Sequence, residues 1–262
     1  MTINQSLANG LQVLLLFDVR APLLTVAEIS KRLKYSQSKT YRVVRTLIRH
    51  GFLEEVDGSA KYSLGLSSLR LGFLAQRRFN ISLVARPLLG ELADLTKETI
   101  FLTVLKGTRG MCLERVESDE PVRYSLFQPG EEFPLHCGAP GKVLMAYLSE
   151  KDWDRVIKEE GLKRYTPSTM TKVGKLKANL RSIRRKGFVY TDQEYHREVR
   201  AVAAPIFDGL GEVVAALSIA GPEYRINQKM ARHLCKLVVR YAQKISNELG
   251  HINGSWKRLD HC

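Results

Sequence analysis

Two helix-start signals stand close together near the N-terminus, and together they restrict the fold more than any other feature of the chain. Thr25-x-x-Glu28 is a capping box, in which each side chain satisfies a free backbone N–H of the first helical turn. Ser36 then caps a helix that runs to His50, and Gly51 closes it. The strand-like runs FLEEV and KYSL follow, separated by Asp57-Gly58-Ser59-Ala60, and Asp-Gly between two such runs is a hairpin signal. A leading helix covers residues 5–19, with Leu7, Leu11, Leu14 and Leu15 on one face, and Pro22 follows it. Three helices and a hairpin in this order spell a winged helix-turn-helix.

The helix after Ser36 has two chemically distinct faces. At about 100° per residue, Ser38, Arg42, Arg45 and Arg49 fall within about 60° of arc. Thr40, Val43, Val44, Leu47 and Ile48 occupy the opposite side. The first turn adds Gln37, Ser38, Lys39 and Thr40, short or hydrogen-bonding groups of the kind that read base edges in the major groove. Gln37, Ser38, Lys39 and Arg42 are the candidate base contacts. Arg45, Arg49 and Lys61 of the hairpin are candidate phosphate contacts, with Thr25 and Ser36 at the two helix starts. The charge distribution agrees. The chain carries a formal net charge of +14, and residues 1–80 hold twelve Lys/Arg against five Asp/Glu, half of the excess in under a third of the length. Such a field suits a polyanionic partner.

A further helix is expected from Leu66 to Arg78, with Leu66, Leu69, Phe73 and Leu74 as its apolar positions, and another from Ile81 to Lys97. Strand-like runs follow at 100–105, 111–116 and 122–127, then helices near Pro140, at 150–160 and at 172–187. Three more strands are expected at 188–192, 201–207 and 213–219, and a last helix from Asn227 to Leu249. Pro205 inside a strand marks an edge or a bulge. Strands and helices in blocks with hairpin links argue an α+β fold with an antiparallel sheet. Cys112, Cys137, Cys235 and Cys262 form no C-x-x-C pair, so no zinc site, disulfide framework or cofactor is expected. No apolar run is long enough to span a membrane, and the N-terminus lacks the marks of a signal peptide, which points to a cytoplasmic protein.

The segments QSLANGLQVLLLFD, LTVAEISKRLKYSQSKTYRVVRTLIRHGFLE and YSLGLSSLRLG resemble the N-terminal domain of the IclR-type transcriptional regulators. ARPLLGELADLTKETIFLTVL, GEEFPLHCGAPGKVLMAYL, YTPSTMT, IRRKGFVYTDQEY and VAAPIFDGLGEVVAALSIAGP resemble the effector-binding domain of that family, in order. The resemblance implies a winged helix-turn-helix domain over 1–65, a linker helix over 66–80, a GAF-like effector-binding domain over 81–250 and a tail over 251–262. It implies operator DNA and a small organic-acid effector as partners, and a homodimer or a dimer of dimers. It carries over Cys137, Gly138 and Ala139 as residues of a pocket-lining loop, and Ser218 as a ligand-contacting hydroxyl. Ala201, Ala220 and Thr191 stand where relatives carry cysteine, serine and aspartate, with Asp192 beside Thr191. These departures remove polar contacts and add room, so the expected effector is larger or less polar than glyoxylate or pyruvate, in the manner of an aromatic or branched acid.

Two other function classes fit parts of the sequence. Cys137 with His136 or His196 as base and Asp192 as orienter would be a cysteine-dependent enzyme, although adjacent residues on an extended segment point apart. A basic winged-helix protein can also bind nucleic acid without sequence preference. Outside the resemblance, Asp192, Glu194 and His196 read as ordinary surface charges, and small residues such as Ala201, Ala203, Ala215 and Ala220 as sites of close helix-on-sheet packing.

Overall fold

The computed structural model describes residues 4–17, 21–56, 58–78, 80–118, 120–121 and 127–251; from 73 to 78 and at 80 it describes the backbone only. The chain divides into two compact units, residues 1–79 and 80–262.

The first unit runs α1 (Gln5–Leu14), β1 (Leu24–Thr25), α2 (Val26–Leu33), α3 (Gln37–Arg49), β2 (Leu53–Val56), β3 (Lys61–Leu64) and α4 (Leu66–Arg78). The capping box at Thr25 is formed, with Glu28 N–H donating to Thr25 Oγ1 at 3.3 Å and Thr25 N–H to the Glu28 carboxylate at 2.8 Å. These bonds favour the charged carboxylate, and they hold the Glu28 pKa below its ordinary value. Ser36 caps α3 through Lys39 N–H. The three strands pair antiparallel in the order β1-β3-β2, with Leu24 opposite Tyr62 and Glu55 opposite Tyr62 on the other side. Val13, Leu24, Ile29, Val44, Leu53 and Tyr62 form the core. Asp57 of the expected turn lies outside the described residues.

Helix α1 departs from the expected pattern. It ends at Leu14 rather than residue 19 and buries Asn9 and Val13, while Leu7, Leu11 and Leu15 are exposed. A polar knot gathers at the buried Asn9. Asn9 Oδ1 accepts from Gln5 Nε2 at 3.1 Å and Lys39 Nζ at 3.2 Å, and the single Tyr35 hydroxyl proton is shared between Asn9 Oδ1, at 2.8 Å, and Gln12 Oε1. In α4, Leu66, Leu69 and Leu71 are exposed; the side chains of Phe73 and Leu74 lie outside the described residues.

The second unit runs α5 (Asn80–Thr96), β4 (Thr99–Lys106), β5 (Arg109–Val116), β6 (Glu132–Pro134), α6 (Ala139–Ala146), α7 (Glu150–Glu160), α8 (Val173–Lys186), β7 (Val189–Asp192), β8 (Val199–Phe207), β9 (Val213–Pro222) and α9 (Gln228–Glu248). Its six described strands form one antiparallel sheet in the order β6-β5-β4-β9-β8-β7. Strand β6, a short element without a signal of its own in the sequence, pairs with β5; of the expected run at 122–127, residues 122–126 lie outside the described residues. Both sheet faces are covered. Val202, Ala204, Ile206, Leu217 and Ile219 face α5 and α9, and Ala201, Ala203, Ala216 and Ala220 face the side of α6 and α8. The period-two alternation of a strand thus divides β8 and β9 between two cores. Strand β7 ends opposite Ala203, so Pro205 lies past its last pairing, just before a register shift at Ile206/Phe207. The architecture is α+β: a winged helix-turn-helix, a linker helix, and a GAF-like antiparallel sheet flanked by helices.

Candidate functional site

In the first unit, α3 presents Gln37, Ser38, Arg42, Arg45 and Arg49 to solvent, and Lys61 is exposed on the hairpin. An open concavity is lined by Thr25 and Val26 at the α2 start, Gln37, Ser38 and Tyr41 of α3, and Ala60 of the hairpin. The polar first turn and the arginine row therefore share one outward side with the hairpin tip. Four of the expected contacts have polar groups engaged within the unit. Thr40 is fully buried and its hydroxyl donates to Ser36 O at 3.1 Å, which locks the helix start rather than reaching outward. Lys39 is tied to Asn9 Oδ1 and lies over the Tyr35 ring, 3.6 Å from its centroid. Thr25 and Ser36 spend their hydroxyls as helix caps. Tyr62 belongs to the core, and burial raises its pKa.

The second unit holds a small, partly open cavity of about 40 Å³. Its floor is the sheet. One row across the strands reads Thr191, Ala201, Ala220, and the next reads Ala203, Ser218, Phe101. Phe101, Phe127, Phe133 and Tyr195 wall it, with the Phe127 centroid 4.7 Å from Phe133 and 5.3 Å from Tyr195. Gly110 makes this wall possible, because a Cβ there would stand 2.3 Å from the Phe133 ring. The start of α6 closes one end with Cys137, Gly138, Ala139 and Pro140. No side chain caps α6, so the first-turn N–H of Ala139, a lining residue, lacks a capping acceptor, while Pro140 has none to offer. The helix dipole and this N–H favour an anion there. Ser218 Oγ, almost fully buried in a residue that lines the cavity, has no hydrogen-bond partner among the described residues.

Two of the sequence-level expectations change here. Asp192 follows Thr191 on the same strand, so its side chain leaves on the opposite face, pairs with Arg200 at 2.9 Å and lies off the cavity. Glu194 is not a surface charge. It is buried, lines the cavity, and its Oε1 accepts from buried Lys142 Nζ at 2.7 Å. A cysteine nucleophile is not assembled either. Burial pushes the Cys137 thiol pKa far up, His136 Nε2 is bonded to Lys163 O at 2.9 Å with its pKa lowered by burial, and His196 Nδ1 faces Arg197 O at 2.8 Å. Among the described residues no group of three His, Cys, Asp or Glu side chains could hold a metal.

Residues 73–247 match the family description "Bacterial transcriptional regulator IclR C-terminal", and residues 6–57 match "IclR helix-turn-helix domain". The chain belongs to the IclR family. IclR-family proteins are DNA-binding transcriptional regulators and not enzymes. The regulator BhcR of Paracoccus denitrificans is 33% identical over 92% of this chain and 86% of its own length. KdgR of Escherichia coli is 31% identical over 86% of each chain. Among solved structures, an IclR homologue from Microbacterium hydrocarbonoxydans complexed with 4-hydroxybenzoate superposes with a TM-score of 0.84 at 26% identity, covering 93% of this chain and 98% of that one. An IclR regulator from Alicyclobacillus acidocaldarius gives 0.83 at 29% identity, covering 94% and 99%. Among the described residues no helix is long and apolar enough to cross a membrane.

The IclR motifs located the α6 loop and the β7–β9 floor but not the aromatic walls. Phe101, Phe127, Phe133 and Tyr195 come from four separated segments, and nothing in their local sequence signals convergence. Alternation with Thr191 was the one available hint that Asp192 points away.

Proposed function

We propose that this IclR-family regulator binds operator DNA through α3 and the β2–β3 hairpin, and that a small organic acid held in the cavity of the second unit sets its affinity for that DNA. The observation that carries the effector reading is the cavity itself, where an uncapped helix start and the unpartnered Ser218 hydroxyl stand opposite aromatic walls. The small side chains of Ala201 and Ala220 keep the floor low, and a ring would enter by displacement of the aromatic walls. The 4-hydroxybenzoate complex of the Microbacterium relative supports the same size class. Gln37, Ser38 and Arg42 are assigned to base edges, and Arg45, Arg49 and Lys61 to phosphates. The protein acts in the cytoplasm as a homodimer or dimer of dimers, with half-sites about 34 Å apart or multiples of that. The exposed leucines of α4, Leu66 and Leu69, are assigned to the contact that transmits the effector signal between protomers. A ligand changes operator affinity only by binding two arrangements of the dimer unequally.

The test is a thermal-shift screen of the full chain against small mono- and dicarboxylic acids, followed by DNA binding with each hit. Expected are hits that raise the melting temperature and also shift operator affinity, and that lose both effects in Ser218→Ala. Hits that stabilise the protein without touching DNA affinity would reject the coupling.

A further inference from the structure

We infer that Glu194 is the specificity-determining residue of the cavity and selects an aromatic effector bearing an O–H or N–H donor; this rests on the effector reading above. Glu194 is 7% exposed and its carboxylate is only half used. Oε1 accepts from Lys142 Nζ at 2.7 Å, and Lys142 is itself 1% exposed. Oε2 is buried and has no hydrogen-bond partner among the described residues. The carboxylate cannot swing away to find one. The Glu194 carbonyl accepts from the hydroxyls of Thr169 at 2.7 Å and Thr166 at 3.3 Å, which fixes the backbone, and the Lys142 contact fixes the head.

A buried acceptor without a donor is an incomplete site. No described side chain of the lining reaches it: Thr191 Oγ1 donates to Ala201 O at 3.4 Å, and the unpartnered Ser218 hydroxyl makes no contact with it. Aromatic rings make up most of the walls, and among the described residues no lysine or arginine lines the cavity. Lys142 stands behind Glu194 and is spent on it. Negative charge on a ligand is therefore disfavoured at the Glu194 end and favoured at the uncapped α6 start, where Ala139 offers an N–H group. The ligand that completes both ends is a ring with an acidic group toward α6 and a hydroxyl or N–H group donating to Glu194 Oε2. Donation to a charged acceptor in a dry site discriminates strongly against an analogue that lacks the donor.

The experiment is calorimetric titration of the full-length protein with benzoate, the three hydroxybenzoates and their methyl ethers. At least one hydroxybenzoate is expected to bind about 10- to 100-fold tighter than both its methyl ether and benzoate. In Glu194→Gln the amide oxygen stays on Lys142 and the amide N–H turns into the cavity, so the hydroxyl-over-ether preference falls to about unity or inverts. The double variant K142M/E194L replaces the ion pair by apolar groups and loses the preference too. Ser218→Ala lowers affinity across the series and leaves the ratio intact. A hydroxyl-over-ether ratio unchanged in both Glu194 variants, with the proteins folded, overturns the inference. So does wild-type binding of non-aromatic acids with no benzoate bound, an outcome that leaves the effector reading standing. Failure of every small acid to bind removes the effector reading first and this inference with it.

Discussion

Replacing Lys142 by methionine tests the buried ion pair directly. The ammonium is 1% exposed and the Glu194 carboxylate 8%, at 2.7 Å. Lys142→Met is close in volume, so packing is nearly conserved and the loss is electrostatic. It strands a carboxylate whose second oxygen already has no partner among the described residues. Breaking a buried pair from one side costs about 3–5 kcal/mol, because the desolvation of the remaining ion is no longer offset. For a unit of this size each kcal/mol lowers the melting temperature by about 2–4 °C, so a fall of roughly 6–20 °C is expected. K142M/E194L removes both charges and should return to within about 1–2 kcal/mol of wild type, or exceed it. The coupling in a double-mutant cycle is then at least about 2 kcal/mol. Tryptophan fluorescence during urea and thermal unfolding is the suitable probe, since Trp153 is fully buried in the second unit. The buried pair should also be nearly indifferent to salt, unlike the exposed pair between Arg181 and Glu150. A Lys142→Met protein within about 1 kcal/mol of wild type, or a double variant as unstable as the single, would refute the account.

Three further outcomes are expected. Arg45→Ala and Arg49→Ala should each weaken operator and non-specific DNA alike and reduce the slope of log K against log salt by about 0.9 for each phosphate no longer neutralised, whereas Arg42→Ala should mainly flatten the preference among operator sequences; gel-shift titrations over a salt series distinguish the two. Cys112 and Cys137 should resist a thiol reagent in the native protein and react fully in guanidinium, because burial pushes the Cys112 pKa to about 12 and that of Cys137 up as well, leaving almost no thiolate at neutral pH; rapid native labelling of either would contradict their placement. Gly110→Ala should cost about 1–3 kcal/mol and impair ligand binding, because the new methyl meets the Phe133 ring that walls the cavity; urea unfolding and calorimetry measure both.

Local signals make the first unit legible. The capping box, the Ser36 cap and the hairpin runs act within a few residues of one another, so the order of elements and the arginine row follow directly from the sequence. Helix α1 escapes this logic because apolar periodicity does not register a buried asparagine that collects three donors from α1, the α2–α3 turn and α3. In the second unit most strands of the sheet are legible as apolar runs between turn residues, while the floor of the cavity is legible only through the family resemblance. Its walls are not. Phe133 lies on a three-residue strand too short to show a pattern, and Glu194 is buried only because Lys142, 52 residues away, meets it. Long-range pairing of this kind leaves no trace in spacing.

Strands β8 and β9 belong to two cores at once, and this separates recognition from stability. Leu217 and Ile219 anchor the sheet to α5 and α9 through one face, while Ser218 and Ala220, their immediate neighbours in sequence, lie on the opposite side. Exchanges at Ala201, Ser218 and Ala220 can therefore re-size or re-polarise the chamber floor without loosening the packing behind it. Every second residue of two strands can thus be edited to reshape the chamber, while the scaffold behind them stays unchanged.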